Sequence, residues 1–190
     1  MTISQILNYA VYLFPISEVA LLIFKRSKRS ASTSAGDKGS LQLLWFSIIA
    51  SIGIAAALQW YPLAVFQISR STVNLIALCL LMCGFIIRWI SIISLGRMFT
   101  VNVAIQKEHQ LMQAGLYKYI RHPSYSGMLL EFLGLAVYFG TWICLFVVMV
   151  PITGALLYRI KREESVLVKE FGRQYEEYKA HTKSMIPGII

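Results

Sequence analysis

Residues 126–158 form a run of 33 residues in which Glu131 is the only charge. As a single helix this run would measure about 50 Å, against a bilayer hydrocarbon core of about 30 Å. It has to fold back on itself. Gly140 and Thr141 mark the bend, which predicts two helices in a hairpin. Such a hairpin needs apolar surroundings, and the rest of the chain supplies them. Residues 6–24 are apolar apart from Asn8, Ser17 and Glu18, and Lys25-Arg26-Ser27-Lys28-Arg29 stops them sharply. A polar linker, 30–40, leads to a second apolar run at 41–63, whose end carries the interfacial residues Trp60, Tyr61 and Pro62. A third, 73–95, has Arg88 inside it. No small-residue cleavage site follows the first run, so it reads as a retained helix and not a signal peptide. The expected fold is all-α and integral to the membrane. It has five transmembrane helices, the last two forming the C-terminal hairpin.

Composition agrees. Hydrophobic residues make up 57% and charged residues 14%, with a mean hydropathy of +0.62. Soluble domains carry roughly 45–50% apolar and about 25% charged residues, which excludes an ordinary cytosolic enzyme, a disordered tail or a disulfide-stapled module. The formal charge of +9 comes from bases in the short segments between apolar runs. That placement fits orientation in the membrane and attraction to anionic lipid headgroups, and it gives no basic stripe for nucleic acid. Lys and Arg concentrate in 25–40, 96–122 and the tail from Arg159, while 64–72 has one and the bend none. The expected topology puts the N-terminus outside and these three segments in the cytoplasm. Cys79, Cys83 and Cys144 lie in apolar runs without neighbouring His, so they read as buried thiols, with no disulfide and no metal site. The chain reads as a single domain over 1–190, with two N-terminal spans in 1–72 and a functional core in 73–190.

Two polar strings stand out. One is Arg121-His122-Pro123-Ser124-Tyr125-Ser126-Gly127. Pro123 suits the first turn of a helix and biases His122 away from helical geometry. Gly127 allows close approach of a neighbouring helix or a ligand. The free N–H groups of that helix start suit a carboxylate. The other string is Arg159-Ile160-Lys161-Arg162-Glu163-Glu164, where Arg159 and Glu163 share a helical face. The hairpin brings both strings to one side of the membrane. The tail reads as helical to about Lys179 and ends through Pro187-Gly188.

These strings, followed by Glu170-Phe171-Gly172 with Tyr175 and Tyr178, resemble the isoprenylcysteine carboxyl methyltransferases, with the phospholipid methyltransferases as relatives. The resemblance covers residues 96–187 and suggests a short prokaryotic member in the plasma membrane. It implies methyl transfer from S-adenosylmethionine, with S-adenosylhomocysteine as product, to a lipophilic acceptor. The implied acceptor is the carboxylate of a prenylated cysteine. The matching cofactor positions are Gln106, His109, Gln110, Leu111, Met112, Tyr117, His122, Pro123, Ser124 and Tyr125, with Glu163 on the ammonium group of the methionine part. Leu116 and Val103 suit the adenine wall, and the Arg121/His122 helix start suits the carboxylate. Arg159 matches the residue that aligns the acceptor carboxylate. A carboxylate is already nucleophilic at neutral pH, so no general base is required.

Plainer readings stand beside these. Glu163 and Arg159 could form only a surface pair, and Glu164 could be a solvated neighbour of Lys161. Arg88 inside a span is a functional candidate, with snorkelling or a pair with Glu131 as the alternative. Glu18 reads as interfacial, and Tyr175 and Tyr178 as packing the tail helix. The alternative functions are headgroup N-methylation of phosphatidylethanolamine and, outside enzymes, a small transporter or scaffold. A transporter should show internal repeats, and none is visible.

Overall fold

Six α-helices account for most of the described chain, which in this computed structural model comprises residues 2–24, 39–61, 64–99 and 111–185. They are α1 (Ile3–Phe24), α2 (Ser40–Leu58), α3 (Arg70–Leu95), α4 (Pro123–Tyr138), α5 (Trp142–Phe171) and α6 (Arg173–His181). Short 3-10 turns lie at Gly96–Met98 and Gly115–Lys118. Gln106, His109 and Gln110, with Val103, lie outside the described residues.

The hairpin forms as expected. Helix α4 ends at Tyr138, Gly140 turns with φ +80°, and Thr141 caps α5 by accepting from the Cys144 amide at 3.1 Å. The segment before α3 clamps the bend. Phe66 N donates to Gly140 O at 3.0 Å, and Trp142 N donates to Ala64 O at 2.9 Å.

Glycine sets how closely α3 and α4 approach. A Cβ on Gly84 would stand 2.7 Å from the Glu131 amide and the Gly127 carbonyl. One on Gly127 would stand 2.6 Å from the Arg88 amide, and one on Gly134 would stand 2.8 Å from Leu81. Close backbone approach through small residues is how helices associate where no hydrophobic force separates them from lipid. On the other side of α4, Phe14, Leu44, Ile48, Met128, Phe132, Val148, Ile152 and Leu156 build the main core between α1, α2, α4 and α5. Tyr12, Ile16, Phe46, Ile49, Ile93, Phe146 and Val150 point outward, where a bilayer would cover them.

Helices α2, α3 and α5 are long and apolar enough to cross a membrane, and the protein is an integral membrane protein. Helix α4 has 16 residues, about 24 Å at 1.5 Å per residue, and is shorter than the hydrocarbon core. The span and the start of the tail are one helix. Arg, Lys and Glu are strong helix formers, so α5 runs unbroken through Arg159 to Phe171. It stops at Gly172, whose φ of +53° only glycine adopts cheaply. Tyr175 and Tyr178 of α6 are buried, as expected of a docked tail.

Two expectations are corrected. Cys144 is buried, with its thiol 3.5 Å from Ala55 O, but Cys79 and Cys83 are exposed on the outer face of α3. Being apolar settles that a residue avoids water and leaves open whether it meets protein or lipid. Glu18 is not interfacial either. It is 7% exposed and engages Arg88.

Candidate active site

The start of α4 is tied to the end of the chain. Pro123 occupies the first turn, and His122 before it has φ −123° and ψ 56°, outside the helical region as the proline requires. Residues 119–122 run beside 183–184. Arg121 N donates to Lys183 O at 2.8 Å, His122 N to Ser184 O at 2.9 Å, and Lys183 N to Tyr119 O at 3.2 Å. Ser126 Oγ donates to Met185 O at 2.6 Å.

Glu164 holds this assembly together electrostatically. It accepts from Arg121 Nε at 2.8 Å, stands 3.3 Å from His122 Nε2 and pairs with Lys179 Nζ at 3.1 Å. Arg121 Nη1 also donates to the carbonyls of Lys179 and Thr182. The reading of Glu164 as a solvated neighbour of Lys161 is therefore replaced by one in which it is the hub of an ion-pair network. A single residue step along the helix, about 100° of rotation, is enough to separate the roles of the adjacent acids.

Glu163 faces a different partner. Tyr125 Oη donates to Glu163 Oε2 at 2.8 Å and accepts from Arg159 Nε at 2.9 Å. Arg159 is 2% exposed, and its Nη1 donates to Ser40 Oγ at the start of α2, at 3.1 Å. The Tyr125 and His122 rings stack with centroids 5.6 Å apart. Tyr117 is buried. Its hydroxyl reaches Ser91 O at 3.3 Å, and its carbonyl accepts from Tyr178 Oη at 2.6 Å. Burial pushes the Tyr117 phenol far above the usual range and that of Tyr178 up to about 12, so both remain neutral donors. Leu111, Met112 and Leu116 are half-buried in the segment leading to this cluster.

Beneath the polar cluster a narrow cleft opens between the helices. Leu21, Leu41, Leu44, Trp45, Ile48 and Met128 form its apolar walls, and Tyr125, Arg159, Arg88 and Glu18 form its polar end. Arg88 donates through Nε and Nη2 to the two oxygens of Glu18, each at 2.5 Å, and through Nη1 to Ser124 O at 3.0 Å. Glu131 stands 3.9 Å from Arg88 Nε, so both sequence readings of Arg88 are incomplete: its main partner is Glu18. The signal was present as an acid in one apolar run and a base in another. Ser40 gave no signal at all, being the last residue of a polar linker.

A family model, the isoprenylcysteine carboxyl methyltransferase (ICMT) family, matches residues 75–169, half of the chain. The chain belongs to that family. Family members resembling it include protein-S-isoprenylcysteine O-methyltransferase B of Arabidopsis thaliana. That protein is 37% identical over 114 residues, 59% of this chain and 58% of the relative. The protein-S-isoprenylcysteine O-methyltransferase of Schizosaccharomyces pombe is 34% identical over 115 residues, 60% of this chain and 49% of the relative. The chain thus spans less than two thirds of the length of these curated relatives. A solved structure of a eukaryotic intramembrane Ras methyltransferase of the same family shares the fold. The TM-score is 0.67 over 98% of this chain and 67% of that one, at 22% identity. Arg88, Tyr125, Arg159, Glu163 and Glu164 all fall within the family match; Glu18 and Ser40 precede it.

Proposed function

We propose that this family member is an S-adenosylmethionine-dependent methyltransferase acting on the carboxylate of a lipophilic acceptor, a prenylated cysteine. The observation that carries the proposal is the Tyr125 hydroxyl bonded to both Arg159 and Glu163 at the polar end of an apolar cleft. The arrangement sets a cation for one ligand and an anion for another on either side of a single oxygen.

The residues present suit the cofactor. Glu163 offers a carboxylate to an ammonium group. The buried Tyr175 hydroxyl has no hydrogen-bond partner among the described residues and is a donor available to a bound polar group. Tyr117 and Leu116 supply aromatic and apolar wall, His122 to Tyr125 present the start of α4, and Leu111 and Met112 lead into the cluster, while Gln106, His109 and Gln110 are cofactor candidates from the sequence resemblance alone. When bound, S-adenosylmethionine supplies an electrophilic methyl group on a sulfonium. Arg159 grips the acceptor carboxylate with two N–H···O bonds and fixes its approach. Tyr125 holds the guanidinium in place, and the apolar walls exclude water and take the lipid tail. Catalysis of this kind is positioning. Arg121 and Glu164 brace His122 and the tail. The basic segments favour a cytoplasmic site with the N-terminus outside, in a prokaryotic plasma membrane whose anionic lipids they contact. An amine acceptor such as phosphatidylethanolamine is less suited, because a guanidinium at the acceptor position repels it.

Calorimetry of the purified protein with S-adenosylmethionine, followed by methyl transfer to prenylcysteine and to phosphatidylethanolamine side by side, tests the proposal. Methylation of prenylcysteine alone is the expected result. Transfer to the lipid amine alone reassigns the acceptor, and absence of cofactor binding removes the methyltransferase reading for this chain.

A further inference from the structure

The buried charges of α1 and α3 are not used by the chemistry above. Glu18 and Arg88 are 7% and 4% exposed, with Glu131 of α4 3.9 Å from Arg88 Nε and Arg159 lining the same cleft. Burying an ion pair is a poor route to stability, since desolvating both charges costs about as much as their attraction returns. The geometry points elsewhere. Two parallel bonds to Glu18 fix the guanidinium plane, and the remaining Nη1 is aimed at the Ser124 carbonyl, 3.0 Å away. That carbonyl shares a rigid peptide plane with the amide and Cα of Tyr125. Tyr125 is the residue whose hydroxyl joins Arg159 to Glu163.

We propose that Arg88, held by Glu18, is a positioning residue that sets the Ser124–Tyr125 peptide and thereby the phenol linking Arg159 to Glu163. Glu18 precedes the family-matched region, so by this contact α1 becomes part of the working site. A lysine at 88 keeps the charge but cannot hold two carboxylate oxygens and a carbonyl in one plane. The kinetic part of the proposal rests on the methyltransferase reading; the structural part does not.

Two measurements on the full chain in detergent test it. In the first, 3-fluorotyrosine is incorporated at position 125 alone and its fluorine resonance is followed without ligand. Arg88→Lys and Glu18→Gln should each displace the resonance by more than its line width. Arg70→Lys, at the far end of α3 beside Tyr138, should leave it in place. A resonance unmoved by either of the first two overturns the proposal whatever the protein catalyses, and Glu18→Gln decides if Arg88→Lys fails to fold. In the second, turnover per bound S-adenosylmethionine is measured for Arg88→Lys, Tyr125→Phe and the double variant. Arg88→Lys should lower kcat about tenfold, and the double variant should be no slower than Tyr125→Phe alone. Multiplying effects would show that Arg88 acts by another route and would overturn the proposal. A wild-type protein that transfers no methyl group would sink the methyltransferase reading instead, and the fluorine resonance would still decide the positioning role.

Discussion

Arg159 and Glu163 meet through one atom, the phenol oxygen of Tyr125, which accepts from the first at 2.9 Å and donates to the second at 2.8 Å. The two residues are a helical turn apart on α5, and Tyr125 reaches them from α4. The hairpin therefore assembles one hydrogen-bonded unit from the two polar strings, and the roles of its ends can be separated experimentally.

Removing the acid should cost the cofactor. Glu163→Ala should weaken S-adenosylmethionine at least tenfold, about 1.4 kcal/mol, the scale of a hydrogen bond to a charged group. Calorimetry on the folded variant reads this directly. Unchanged affinity would remove Glu163 from the cofactor site.

Changing the base should cost the acceptor. Arg159→Lys keeps the charge but loses the fork that can hold a carboxylate while Nε donates to Tyr125. Turnover with prenylcysteine should fall about tenfold or more with cofactor affinity within about threefold of wild type, a split set by the 1.4 kcal/mol per decade of the affinity scale. Because Tyr125 also bonds Glu163, a rival outcome is well defined. If cofactor affinity falls as far as activity, Arg159 serves to support the acid.

The fold was legible where local physics acts alone. A run of 33 residues with Glu131 as its single charge cannot fit a bilayer as one helix, Gly140 supplies the turn, and Pro123 starts α4. Long-range pairings were not. The pairing of Glu18 with Arg88 spans 70 positions, and no periodicity connects them. Nor could spacing separate Glu163 from Glu164, because neighbours on a helix point about 100° apart and only the packed structure says which meets Tyr125 and which meets Arg121. Whether an apolar residue such as Cys79 meets protein or lipid was equally silent, since both surroundings are apolar.

The network around Glu164 leads to a stability prediction. Its carboxylate joins Arg121, His122 and Lys179, with a side-chain exposure of 13%. Glu164→Gln should destabilise the protein by about 1.5–3 kcal/mol, the range for hydrogen bonds to charged groups. It should also loosen the 182–185 segment from the start of α4. A lower melting temperature together with faster proteolysis after α6 is the expected result. Faster proteolysis without a fall in melting temperature would confine Glu164 to tail docking, and neither change would show the network to be dispensable.

The last prediction concerns the α3–α4 contact that places Arg88 beside Ser124. A methyl group on Gly127 would stand 2.6 Å from the Arg88 amide and 2.7 Å from the Gly84 carbonyl. Both obstacles are backbone, so no side chain can swing away and the helices must separate. Overpacking of this kind costs about 1–3 kcal/mol, and separation would also draw Arg88 away from Ser124 O. Gly127→Ala should therefore lower both thermal stability and turnover. Gly154→Ala is the matched control. Nothing lies within 4 Å of its added Cβ, and alanine in a helix interior is favoured over glycine by about 0.8–1.0 kcal/mol. It should be neutral or stabilising, with activity retained. Equal behaviour of the two variants, in melting temperature and in turnover, would refute glycine-limited packing as what sets the distance between α3 and α4.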